Sequence, residues 1–444
     1  MTRAAGVFMM VAGCITAFAA DSPTKPTPTF AKDVAPILQE KCQECHRQGS
    51  MAPMSLVTYE ETRPWAKAIR LRVVTRQMPP WHIDKNVGVR KFKNDISLSD
   101  AQIATIAGWV DGGAPLGDPK DMPPPKKWSN DNEWRAAKDF GPPDLVVKSE
   151  NFTMPAHHQD MWLDLESPVQ LPEDRWVRVV EMRPGTVAGR KITHHAISYI
   201  VQNAPANAIN GDVELSRRAM LMEWGIGKGF DAYRPNTGKL MPHGSRIAWD
   251  LHIHAVGEEI TDHVELGVWF YPKGQQPKYE THTSGLMAIK GTSLDIRPNS
   301  IGETQNYTVL KQPTRIESFQ PHMHLRGKAM EVEAILPNGT SQIVSYVPNF
   351  NFNWMNNYIY ADDAAPVFPK GTVIRVTAWY DNTRANPYNP DPDQWVGYGH
   401  RTVDEMGHAW MNMTYLSDEE YNAWVVQQKN KDQSSAAIPG SPRQ

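Results

Sequence analysis

The sequence predicts a multidomain chain: a small all-α unit followed by two all-β sandwiches. Three observations carry this. Apolar residues at helical spacing occur near the N-terminus, at Phe30, Val34, Ile37 and Leu38, and again at Ile103, Ile106 and Val110. A polar, Pro-rich stretch follows, with Asp118-Pro119-Lys120 and Pro123-Pro124-Pro125-Lys126-Lys127. It reads as a stiff connection. Beyond it the pattern turns to short β-branched and aromatic runs, such as Trp176 to Val180, Val264 to Phe270 and Val373 to Trp379. Long helical periodicity returns only at Asp418 to Gln428.

The expected boundaries are 1–20 for an export signal, 28–118 for the helical unit and 119–143 for the linker. Two sandwiches of similar size take 144–297 and 298–429, joined near Pro298, and 430–444 is a polar, disordered tail. The helical unit closes with a helix that Ser99 can N-cap and that Gly112-Gly113 and Pro115 stop.

At 444 residues the chain is long enough for several cores. Hydrophobic residues make up 40% and charged residues 21%, with a formal net charge of -3. This balance points away from nucleic acid and from a charged membrane surface. No later stretch has the ~18 apolar residues of a membrane-spanning helix.

The N-terminus reads as an export signal. Arg3 supplies a positive start, Gly6 to Gly13 an apolar stretch, and Ala17-Phe18-Ala19 a cleavage site. Val11-Ala12-Gly13-Cys14 also resembles a lipobox, so a lipid anchor at Cys14 stays open beside the cleaved form. Either way the expected location is periplasmic or otherwise extracytoplasmic. Of three cysteines, one lies in the signal and two in a single motif, leaving none for a structural disulfide.

That motif is Cys42-Gln43-Glu44-Cys45-His46. C-x-x-C-H is the spacing of a covalent haem c site: two thiols add to the haem vinyl groups and the adjacent imidazole reaches the iron. A zinc half-site would need a second Cys/His cluster nearby, and none is there. The unit 28–118 is therefore expected to be a cytochrome c domain holding one haem through Cys42, Cys45 and His46, with Trp109 packing on it. For the sixth ligand Met78, in Met78-Pro79-Pro80-Trp81, is favoured, with His82 the rival; Met51 and Met54 lie close to the attachment loop.

Three histidine clusters stand out among 15 histidines: His194-His195, His252-Ile253-His254 and His322-Met323-His324. Composition alone yields about half an HH pair and half an H-x-H pair. His157-His158 reads as such a chance pair. On a strand, residues two apart share a face, so His322 and His324 can bind one metal, and so can His252 and His254. Adjacent His194 and His195 can do so only at a strand end or a bulge. With no cysteine nearby, imidazoles plus a thioether favour copper that cycles between two oxidation states.

From about residue 185 to 415 these residues resemble the copper type II, ascorbate-dependent monooxygenases, the family of the peptidylglycine α-hydroxylating and dopamine β-monooxygenases. Thr193-His194-His195-Ala196 matches the HH pair, Leu251-His252-Ile253-His254 the strand with the third His, Phe319 to Gly327 the H-x-H, and Thr402-Val403-Asp404-Glu405-Met406 the ligand Met. The run Tyr380 to Pro387 resembles bacterial members.

The resemblance implies two jelly-roll-like domains, each holding one copper, facing across a solvent-filled cleft. One copper would take His194, His195 and His254; the other would take His322, His324 and Met406 and meet O2. His252 would be a supporting residue or an alternative ligand. C–H hydroxylation of a small organic substrate follows, with electrons from ascorbate or a redox protein, here from the fused haem unit. The sequence departs from the family at Gln320, where a substrate-binding Arg is usual, and at His408 and Trp410, where an Asn and a Tyr are usual. Those departures, and the lack of disulfides, keep a copper-binding or electron-transfer protein without hydroxylase activity in view.

Overall fold

The computed structural model describes residues 26–50, 52–128, 133–201, 219–225, 228–354 and 356–436. The expected signal, Cys14, Met51 and residues 437–444 lie outside the described residues.

The fold is mostly β-sandwich with few helices. The helices Ala35–Lys41, Ala66–Val74 and Asp100–Asp111 gather around Phe30, Leu38, Ile106 and Trp109. Ser99 caps the last of these with a capping box to Gln102, and Gly112 closes it, as the sequence predicts.

Six strands position the histidines: β1 (Met161–Pro168), β2 (Thr193–Val201), β3 (Ala219–Gly225), β4 (Arg246–Ile253), β5 (Ser318–His322) and β6 (His408–Tyr415). In the first sandwich one sheet runs β1-β4-β2-β3, all antiparallel. Its inner face, with Ala196, Trp249, Leu251 and Ile253, packs on Val177, Val180, Leu266 and Val268 of the opposing sheet. Because Trp249, Leu251 and Ile253 fill the core, the alternate residue His252 faces outward. His195, its register partner on β2, shares that outer face.

The second sandwich stacks Ile301–Val309, Val373–Asp381, Gly327–Ile335 and Ser341–Val347 against a sheet that includes β5 and β6. Its core holds Phe319, Met330, Val332, Val376, Tyr380, Ala409 and Met411. The two sandwiches are not independent. Thr237 and Gly238 pair in parallel with Tyr279 and Glu280, and this joins strands of both into one 11-stranded sheet.

Three expected boundaries move. Leu286, Ala288, Ile289, Leu294 and Ile296 belong to the second core, so that sandwich begins well before Pro298; the reason is the pairing of Thr281 to Met287 with β6. The helical unit does not own all of 28–118, because Trp81, Ile83, Val89 and Phe92 also lie in the second core. There Trp81 sits edge-on to Tyr358 at 4.8 Å, and Val89 N and Lys93 N donate to Val344 O and Ile359 O. The C-terminal helix runs to Ala436, past the expected start of a disordered tail at 430.

Candidate metal centre

His194 and His195 stand at a β-bulge. The β2–β4 register shifts between Thr193 and His195, so Thr193 pairs with Ile253 and His195 with His252. The bulge turns both imidazoles towards the same space. Their Nδ1 atoms lie 3.2 Å apart. Two imidazole nitrogens on one metal at ~2.0 Å would sit roughly 3.3 Å apart.

The third member of this group is His252: one nitrogen of each of His194, His195 and His252 falls within 4.8 Å of the others, and all three side chains are buried. Sequence reasoning put His254 in that place. The structure leaves His254 half-buried, with its ring centre 6.4 Å from that of His194. The cause is register: β4 lies directly opposite His195 at residue 252, and residue 254 is already past the strand end. His252 is further fixed by stacking on Trp162 at 4.7 Å and by Asp160, whose Oδ2 lies 2.9 Å from its Nε2. That bond holds the Asp160 carboxyl below its usual range.

Burial, then neighbouring imidazoles, push His194 down to about 3 and His195 well below the usual range. Neutral imidazole is the form that binds metal. His194 Nε2 is buried and has no hydrogen-bond partner among the described residues. The 3.2 Å Nδ1 pair and one nitrogen of His252 within 4.8 Å offer three buried imidazole nitrogens to one ion, so the donor set fits a metal.

The second group sits at the end of β5 and in the turn that carries the chain to Gly327–Ile335 of the opposing sheet. His322 and His324 are buried, with ring centres 5.6 Å apart. Burial lowers His322, but the carboxylates of Glu223, Asp250 and Glu405 together leave the ring raised; His322 Nδ1 donates to Glu223 Oε1 at 3.0 Å. Burial drives His324 well below its usual range, and its Nδ1 donates to Asp404 O at 3.1 Å. Glu405, fully buried and pushed up to about 7 by that burial, accepts from His324 N and Arg326 N. The buried Arg326 guanidinium ties Asn382, Val403 and Asp391 together. The Asp404-Glu405-Met406 segment is thus clamped to the H-x-H turn, and Met406 is buried beside it. His408 pairs with His322 across β5 and β6, with ring centres 5.9 Å apart.

The two histidine groups touch. The ring centres of His195 and His322 are 5.4 Å apart, where the family resemblance implies a wide cleft. Phe352, from the second sandwich, stacks on His194 at 4.2 Å and meets His324 edge-on at 6.0 Å. Sequence reasoning missed Phe352, and it missed Glu223. For Glu223 a signal existed: a lone acid in the otherwise apolar strand Ala219–Gly225 needs a buried partner. For Phe352, in a long loop, there was none.

In the Cys42–His46 segment, Cys42 and Cys45 form no disulfide. His46 Nδ1 donates to Met54 O at 3.3 Å, which fixes the ring and leaves Nε2 for another partner. Trp109 is fully buried and donates to Pro115 O. Met78 is half-buried where the chain leaves Ala66–Val74, its N donating to Arg72 O. Past the prolines, the contacts belong to the second sandwich: His82 N donates to Tyr358 Oη, and Asn356 Nδ2 to Pro80 O. This placement draws His82 towards the sandwich and away from the helical core.

No protein-family model matches the chain, and no curated protein matches it. Among solved structures, the chain is similar to the major capsid protein P2 of bacteriophage PM2, at 9% identity and a TM-score of 0.23 over 61% of this chain and 97% of that one. It is also similar to peptide:N-glycanase F, at 7% identity and a TM-score of 0.28 over 62% and 96%. A third likeness is a fucolectin from striped bass serum, at 10% identity and a TM-score of 0.15 over 61% and 97%. Likeness at this level says nothing of activity.

Proposed function

We propose that the chain is an exported haem c- and copper-dependent monooxygenase that hydroxylates a C–H bond of a small organic substrate. The observation that carries the reading is the convergence of His194, His195 and His252 within 4.8 Å, in contact with the His322 group. Copper held there would supply one-electron chemistry towards O2. One copper is assigned to His194, His195 and His252, and a second to His322, His324 and Met406.

The chain's own residues do the rest. Glu223 and Asp404 O orient the two rings of the second group, and Asp160 orients His252. Phe352 shields both groups from water. Gln320 is turned to Glu223 and is no substrate clamp, which argues for a substrate without a carboxylate. The helical unit, as a cytochrome c domain with haem on Cys42, Cys45 and His46, supplies electrons at high effective concentration. Each turnover consumes the substrate, O2, two electrons and two protons, and releases the alcohol and water.

The test is stopped-flow mixing of the reduced full chain with O2, with and without copper. Haem oxidation that quickens with copper, together with transfer of isotopically labelled oxygen into an organic product, supports the reading. Copper-independent haem oxidation overturns it. The close contact of His195 with His322 favours one second reading, an electron-transfer or copper-holding protein, because it leaves no gap between those rings for a substrate. O2 consumption with no oxygenated product would select that reading.

A further inference from the structure

The attachment motif touches the first sandwich at one charged point. Glu44, between Cys42 and Cys45, lies 3.2 Å from Arg135 Nη1. Arg135 is not a loose surface arginine. Its backbone N and that of Ala136 donate to the buried Glu181 carboxylate at 3.0 and 2.9 Å. Trp134 and Ala136 pack against Trp269 below it. The same Nη1 stands 3.9 Å from where a Cβ on Gly229 would be, so the guanidinium rests against bare backbone.

The residue before that glycine is Lys228, buried although charged. Its N donates to Gly225 O, and its Nζ reaches Asp231 at 3.0 Å and Gln320 Oε1 at 3.3 Å. Gln320 Nε2 donates to Glu223 Oε2 at 2.6 Å. The other oxygen of Glu223 accepts from His322 at 3.0 Å. A string of side chains, each bonded to the next, therefore runs from Lys228 across the seam between the sandwiches to His322. Its outer end lies beneath the arginine that holds the attachment loop.

We propose that the string Lys228–Gln320–Glu223–His322, reached from Arg135 across the backbone of Gly229, is the electron route from haem to copper, and that it enters the histidine cluster at the second group. The inference rests on the reading of the chain as a haem and copper protein. Electron coupling falls steeply across empty space and less steeply along bonds and hydrogen bonds. The string crosses the seam with no gap longer than a hydrogen bond between Lys228 and His322. The step is a one-electron exchange: ferrous haem becomes ferric and cupric copper becomes cuprous, with no bond made or broken. On this route electrons arrive first at the His322 group, the copper that the resemblance sets to meet O2.

The experiment is photochemical reduction of the haem in the full copper-loaded chain without O2, followed by its absorbance. Copper content and haem potential are measured on each variant. Gln320→Leu interrupts the string without touching a histidine, and Glu44→Gln and Arg135→Leu loosen its outer end. Thr283→Val, in the same buried seam but off the string, is the control. The expected result is loss of the fast copper-dependent phase in Gln320→Leu and its slowing in the two outer variants. Copper content should hold, and Thr283→Val should behave as the unaltered chain. A fast phase that persists in Gln320→Leu overturns the route alone. Reoxidation that ignores copper in the unaltered chain overturns the reading beneath it, and the route with it.

Discussion

His322 Nδ1 donates to Glu223 Oε1 at 3.0 Å, and the two residues come from different sandwiches. The carboxylate is fully buried on β3, on the far side of the seam from β5. A histidine that binds metal through one nitrogen is held by what its other nitrogen touches. Glu223→Ala should weaken copper at the His322 group by roughly 10–100-fold. The His194 group should be spared, so competition titration should show one affinity falling and one unchanged. Unfolding by urea should also show a loss of about 3–5 kcal/mol, since a buried pair is broken from one side.

His252 and His254 make opposite predictions. His252→Ala should abolish copper at the first group, while His254→Ala should retain it. Metal analysis after dialysis reads both. Equal loss in the two variants would restore His254 as a ligand.

The clamp on Met406 depends on Arg326, whose guanidinium reaches Asn382, Val403 and Asp391 from a buried position. Arg326→Met should leave those acceptors unpaired at about 1–3 kcal/mol each or less in a relaxed loop. Copper at the His322 group should become labile to a chelator. A variant as stable and as retentive as the original would show that the loop holds itself.

Lys239 is fully enclosed, donating to Met220 O and Leu221 O, and burial lowers it to about 7 from 10.5. Its folded pKa lies below its unfolded one, so the unfolded chain binds more protons between those values. Stability from this residue is present above pH 10.5 and lost as pH falls to about 7. Urea melts across that window should therefore show a rising slope that flattens in Lys239→Met.

Trp81 fastens the segment after Met78 to the second sandwich, edge-on to Phe92 at 5.6 Å and to Tyr358 at 4.8 Å. Trp81→Ala should cost about 3–5 kcal/mol. Amide exchange at Asp84 and Val89 should quicken, since these amides donate from the same segment to Tyr346 O and Val344 O of the second sandwich.

What could be read from the sequence was local. The Ser99 cap and Gly112 stop depend on residues a turn apart, and both stand as predicted. Strand parity required a strand end or a bulge at His194-His195 for the two to share a metal, and a bulge is there. The choice between His252 and His254 was not local, because it depends on which residue β2 sets opposite β4. Trp81, Glu223 and Phe352 act across chain separations that composition and periodicity do not sense. The proline run that follows Met78, the favoured sixth ligand, leads the chain onto another core.

The parallel pairing of Thr237 and Gly238 with Tyr279 and Glu280 has a practical outcome. Separating the sandwiches would expose two raw strand edges, each a template for sticking to other chains. Either half expressed alone is therefore a candidate for inclusion bodies, and heating the whole should give a single calorimetric peak for both sandwiches.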